Sequence, residues 1–216
     1  MGSERPGFVC GLAAEAACLP DRRLVRITAA DAERARTACA ELIAAGATAL
    51  VSFGVAGGLR GDLRPGHLIR ADRVLLRDGT DLPAKVPDLV FTGVPVVTGA
   101  IFGSDLPITL AAAKRALFEA TGALAVDMES QHVATAARAA GLPFSVVRVV
   151  LDPADRDLPA SALVRLDPEG RPRPLAIVAG LPRRPWEIPA LVALGRDHAQ
   201  AMRVLRKIGP LLSGTG

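Results

Sequence analysis

Three short stretches of the chain put acid groups or bare backbone at the ends of apolar runs, where they could do chemistry. The first is Ser52-Phe53-Gly54-Val55-Ala56-Gly57-Gly58-Leu59. Glycines this close behind a buried run let backbone N–H groups approach a ligand with no Cβ in the way. The stretch reads either as such a cradle or as a tight strand-to-loop turn. Its spacing is not GxGxxG, and no acidic residue closes a strand about 20 residues later, which disfavours a dinucleotide fold. The second stretch is Val126-Asp127-Met128-Glu129-Ser130. Carboxylates at the carboxyl edge of a sheet stand where α/β proteins bind ligands. Glu129 there can accept two hydrogen bonds from a ribose diol, with Met128 as a soft apolar floor, or simply suit the dipole of a following helix. The third runs from Val146 through Arg148 and Leu151 to Asp152-Pro153-Ala154-Asp155. A carboxyl in apolar surroundings has a raised pKa and can serve as a general acid near neutral pH; the bland alternative is a strand-end turn acid. Arg148, inside the same apolar strand, needs a partner if buried, and Asp127 or Glu129 is the natural one.

Alternating strand and helix patterns must position these groups. Strands are expected near residues 7–12, 23–27, 49–53, 67–76, 96–100, 124–127 and 145–151, with helices over 30–45, 108–120, 129–140 and 189–208. Thr28 reads as the cap of the first helix, with Asp31 three residues on, and Gly46 closes it. Residues 77–95 are loop-rich, and 152–186 hold many prolines and no long periodic segment. The pattern predicts one α/β domain over residues 1–216, three layers deep (α/β/α), around a central mixed and mostly parallel sheet.

Bulk composition excludes several classes. Half of the 216 residues are hydrophobic and 22% are charged, which argues against disorder. No apolar run reaches the roughly 18 residues of a membrane span. Three cysteines without CxxC spacing and three scattered histidines suggest neither a disulfide framework nor a metal site. The start of the chain lacks a leader pattern, which points to the cytoplasm. Net charge is +4, but residues 165–216 carry nine Lys or Arg against four Asp or Glu, so the basic excess is local. With no aromatics interleaved among those arginines, nucleic acid is an unsuitable partner.

Taken together, the Gly-rich stretch, the Asp-Met-Glu segment, the strand-end Asp152 and Ala100-Ile101-Phe102-Gly103-Ser104 resemble the nucleoside phosphorylase/nucleosidase family in order and spacing. Gly11-Leu12-Ala13-Ala14-Glu15-Ala16, Asp152-Pro153-Ala154-Asp155-Arg156 and the basic C-terminal third resemble its hopanoid-associated branch, understood to remove adenine from adenosylhopane. The resemblance spans nearly the whole chain. It implies that Asp152 protonates N7 of the leaving adenine, that Glu129 binds the ribose hydroxyls and Met128 packs beneath the sugar. Ile101 and Phe102 would hold the base, and Glu15 would stand near the nucleophile. Val55, Ala56 and Gly57, with Asp127 and Arg148, would complete the substrate site. No metal or organic cofactor is implied, only phosphate as a co-substrate. The expected partner is a small or lipid-linked nucleoside, and the working form a homo-oligomer, with a dimer favoured. Methylthioadenosine or S-adenosylhomocysteine cleavage and a non-catalytic nucleoside-binding protein are the alternatives.

The sequence departs from the family in two places. Ser52 and Val55 stand where phosphorylases carry an Arg and a Ser for phosphate, and the family's water-activating Glu aligns with Ala16 rather than Glu15. The branch resemblance implies phosphorolysis, and these departures make the expected phosphate affinity weak. Finally, the apolar residues 175–182, followed by Arg183-Arg184-Pro185-Trp186, suit either packing on the sheet or a transient contact with the inner membrane surface.

Overall fold

Five consecutive buried residues, Val146 to Val150, drive the central strand of the structure. A run buried on both sides needs a strand partner at each edge, and this strand has two. The computed structural model describes residues 5–163, 167, 169–171 and 184–212. Along these the strands are β1 (Pro6–Cys10), β2 (Val25–Ile27), β3 (Ala49–Gly58), β4 (Leu68–Leu75), β5 (Asp81–Pro83), β6 (Val96–Gly103), β7 (Ala125–Asp127) and β8 (Phe144–Asp152). The helices are α1 (Ala13–Ala16), α2 (Ala32–Ala44), α3 (Ala111–Thr121), α4 (Ser130–Ala140) and α5 (Ile188–Leu212).

The sheet is mixed α/β in character, as expected, but part of it closes on itself. β8 pairs in parallel with β3 and antiparallel with β4; β4 pairs with β6, β6 with β7, and β7 with β3, which completes a five-stranded ring. The expected plain sheet is therefore corrected to a closed barrel with β1 and β2 continuing from one edge of β3 and β5 from β4. β3 achieves this by dividing its edge. Ala49–Ser52 pairs with β1, whereas Gly57 and Gly58 pair antiparallel with β7. Irregularities at Ala56/Gly57 and Ala71/Arg73 bend β3 and β4 where the ring turns, the usual work of a bulge.

Helices cover both sides. Cys39 and Leu42 of α2 and Val133 and Ala137 of α4 pack with Val146 and Val150 of β8. On the other side Met202, Leu205 and Ile208 of α5 pack with Val147 and Val149. The alternation along β8 thus feeds two cores, and Arg148 shares the face of Val146 and Val150.

Several local expectations are revised. Asp31, not Thr28, caps α2, its Oδ1 accepting from Arg34 N at 2.9 Å. Asp31 is one residue from the helix, whereas the Ala29-Ala30 turn, with φ of 54° and 55°, carries Thr28 away from it. The Gly-rich stretch is strand rather than loop. β6 runs three residues past its expected end, and α5 extends to Leu212. Short β5 and the single-turn α1 are additional elements that periodicity cannot reveal at such lengths. Of the apolar segment 175–182 and the stretch 183–186 after it, residues 175–183 lie outside the described residues.

Candidate active site

The ends of β3, β7 and β8 meet α1 around one cleft of about 170 Å³. Glu15, Val55, Met128, Glu129 and Asp152 line it, with Leu106 and Pro107 at its rim. Three of the sequence motifs converge here because their strands are neighbours in the ring: Gly57 pairs with both Val126 and Asp152.

At one side lies a buried charge cluster centred on Arg148. Its guanidinium is 2.6 Å from Asp127 Oδ2 and donates to Glu129 Oε2 at 2.9 Å. It also donates to Ser52 Oγ at 2.6 Å and to the Val55 carbonyl at 3.2 Å. The predicted pairing with Asp127 and Glu129 is thus made with both. Burial works against the Arg148 charge, but these carboxylates and Glu15 more than offset it and raise its pKa. Ser130 Oγ donates to Asp127 Oδ2 at 2.5 Å, and Thr28, freed from capping, donates to Glu129 Oε1 at 3.3 Å.

Glu15 enters this cluster from the single turn of α1. Its two oxygens accept from Leu12 N and Val55 N, each at 2.8 Å. Burial pushes its pKa from 4.5 to about 7, Arg148 opposing and Glu129 adding to the rise. A carboxyl poised there exchanges a proton near neutral pH. Glycine is required where these carboxylates press on the backbone. A Cβ at Gly54 would lie 2.5 Å from Glu15 Oε1, and one at Gly11 would lie 2.8 Å from Glu129 Oε1.

Asp152 lines the same cleft. Burial raises its pKa, and the adjacent Lys114 opposes the rise. Lys114, from α3, is completely buried and donates to Asp152 Oδ2 at 2.5 Å. Sequence reading overlooked it because one Lys in Ala111-Ala112-Ala113-Lys114-Arg115 looks like ordinary helix surface. Ser130 and Thr28 were missed as site residues for a similar reason: small hydroxyls carry little signal without their partners.

Not every expected residue reaches the cleft. Ile101 is fully buried in the core of the ring. Phe102 packs beside Leu59, Ala100 and Val126. Neither lines the cleft, because β6 continues through both as part of the barrel wall. Among the described residues, no group of three His, Cys, Asp or Glu could hold a metal ion. No helix among them is long and apolar enough to cross a membrane.

Four buried carboxylates, Glu15, Asp127, Glu129 and Asp152, thus line one largely apolar cleft. The chain belongs to the phosphorylase superfamily: the family's sequence profile matches residues 27–181. It is accordingly a nucleosidase- or phosphorylase-type enzyme of N-glycosidic bonds. No curated protein matches it significantly. Among solved structures it is similar to the 5′-methylthioadenosine/S-adenosylhomocysteine nucleosidase of Helicobacter pylori, at 16% identity over 96% of this chain and 98% of that one, with TM-score 0.64. The corresponding enzyme of Neisseria meningitidis gives 15% identity over 95% and 98%, with TM-score 0.65. Futalosine hydrolase of Helicobacter pylori gives 16% over 71% and 90%, with TM-score 0.60. At these identities the likeness is one of fold.

Proposed function

We propose that this enzyme cleaves the ribose–adenine bond of adenosylhopane in hopanoid biosynthesis. The observation that carries the chemistry is that Asp152 and Glu129 both line one apolar cleft. Asp152 passes its proton to N7 as the C1′–N9 bond breaks and the bonding electrons leave with the purine. This prevents charge accumulating on a poor leaving group and contributes about 10²–10⁴-fold. Glu129 accepts from the ribose hydroxyls, and the buried carboxylates favour the positive charge that develops on the sugar.

In place of the phosphorolysis that the branch resemblance implies, the electrostatics support water as nucleophile. One guanidinium, Arg148, is already committed to Asp127, Glu129, Ser52 and Val55. Arg148 donates to Ser52 Oγ, and both side chains are fully buried and do not line the cleft, so neither reaches an incoming anion. Glu15 is placed to take a proton from water, which then bonds to C1′ and leaves a ribosylhopane beside free adenine.

Choice of the lipid-linked substrate rests on the branch resemblance, and two surface features support it. Leu106 is 69% exposed at the rim of the cleft. Trp186 is 71% exposed beside Ile188 and Val192, which suits brief contact with a membrane interface. The second reading is a soluble 5′-methylthioadenosine or S-adenosylhomocysteine substrate, supported by the fold likeness to those nucleosidases. The deciding assay compares kcat/KM for adenosylhopane, methylthioadenosine and S-adenosylhomocysteine, with and without phosphate. A preference for adenosylhopane and a sugar product lacking a 1-phosphate are expected. Preference for a soluble nucleoside rejects the lipid substrate, and an obligatory phosphate requirement rejects water.

A further inference from the structure

We propose that Lys114 is the positioning residue of the proton donor: it locks one oxygen of Asp152 and leaves the other to face the leaving base. This rests on the general-acid role given to Asp152 above.

The ammonium has three N–H groups and three acceptors around it. Nζ donates to Asp152 Oδ2 at 2.5 Å, to the Pro153 carbonyl at 3.0 Å and to the Arg156 carbonyl at 2.9 Å. With every proton committed and no solvent exposure, Lys114 has no donor left for a ligand. Its task is therefore internal. Among the described residues no other side chain donates to Asp152, so Oδ1 remains for the cleft.

A second set of contacts makes the hold rigid. Pro153 and Arg156 belong to the turn that follows β8, so Lys114 ties that turn to α3. The start of α3 is tied to the same turn, since Ala111 N donates to Asp157 Oδ1 at 2.7 Å and Leu158 N to the Thr109 carbonyl at 2.8 Å. Arg156 in turn pairs with Asp197 of α5. The carboxyl that must point a proton at one atom is thus framed by two helices. Misplacement of such a group by about 1 Å can cost about 10²-fold in rate.

Charge and position can be separated experimentally. The charged groups around Asp152 are Lys114 from α3, Arg156 and Asp157 from the turn, and Asp197 from α5. Lys114 favours the ionised carboxylate, so its removal raises the pKa of Asp152 further. The carboxyl is more fully protonated in Lys114→Gln than in wild type. A rate loss in that variant therefore comes from position and not from lack of a proton.

The test is a ¹³C-carboxyl NMR titration of Asp152, assigned with Asp152→Asn, in wild type, Lys114→Gln and Lys114→Arg. It is paired with adenine release from methylthioadenosine and adenosylhopane at a pH where the carboxyl is protonated in all three. In Lys114→Gln the Asp152 pKa rises while kcat falls at least about tenfold. Lys114→Arg keeps the pKa close to wild type but recovers only part of kcat, because a planar fork cannot serve three oxygens arranged around a point charge. If Lys114→Gln fails to fold, Lys114→Arg still decides, and wild-type kcat in it overturns the proposal. An unmoved Asp152 pKa or an unchanged kcat in Lys114→Gln overturns it as well. Absence of adenine release by wild type would reject the proposed function instead, and the titration would still judge whether Lys114 controls Asp152.

Discussion

Arg148→Met removes the cation at the centre of a buried cluster that keeps Asp127, Glu129 and Glu15, and its effect on stability can be worked out from the geometry. The guanidinium is fully buried, 2.6 Å from Asp127 and 2.9 Å from Glu129, and also bonds Ser52 and Val55. Breaking a buried pair from one side costs about 3–5 kcal/mol, because the remaining charges are left without compensation. For a chain of this size that corresponds to a melting-point loss of roughly 6–20 °C. The cost depends on pH. Burial already holds Glu15 at about 7 and Glu129 above its ordinary value, and without Arg148 both rise further. A carboxyl raised in the folded state carries its full penalty above the folded pKa and sheds it as pH falls toward the unfolded pKa of about 4.3. The variant should therefore be most destabilised near pH 8 and recover part of that deficit relative to wild type near pH 5. Urea titrations of both proteins at the two pH values measure this. A deficit below about 1 kcal/mol near pH 8, or one that grows as pH falls, would refute the account of the cluster.

Glu129→Ala loses the acceptor for the ribose diol, worth roughly 1.5–3 kcal/mol per charged bond, and should weaken ribosides far more than free adenine in calorimetry. Equal weakening would mean that Glu129 serves only Arg148 and Thr28. In wild type, kcat/KM should fall on the acid side below about pH 7, where Glu15 becomes protonated and loses its role as base. A profile flat down to pH 5 would remove Glu15 from that role. Replacing Arg183, Arg184 and Trp186 with Ala should abolish low-salt sedimentation with anionic liposomes. Wild type that fails to bind them, or a variant that binds as well, would dispose of the membrane contact.

Part of the site was legible because two of its carboxylates terminate strands, and strand ends are visible as the last residue of an apolar run. Asp152 after Val149-Val150-Leu151 and Asp127 after Ala125-Val126 are both of this kind. The Arg148 pairing was legible because an arginine in such a run has few options. Closure of the ring was hidden, since it depends on two residue pairs between β3 and β7 that leave no periodic trace. Lys114 was hidden because a helix rich in Ala gives no sign of which side faces inward. Ile101 and Phe102 were assigned to the base by resemblance, while the length of β6 puts them in the barrel wall. Thr28 and Asp31 compete for one cap, and only the backbone between them decides which takes it.

The central claim is that this cleft breaks a ribose–adenine bond with Asp152 as proton donor. Its most direct test is release of adenine from adenosylhopane and from methylthioadenosine near pH 7 by wild type and Asp152→Asn, with adenine affinity measured on both. The account predicts adenine release by wild type and a loss of about 10²–10⁴-fold in kcat in a folded variant that still binds adenine. No adenine from either nucleoside, or a variant keeping more than about a tenth of wild-type kcat, would contradict it.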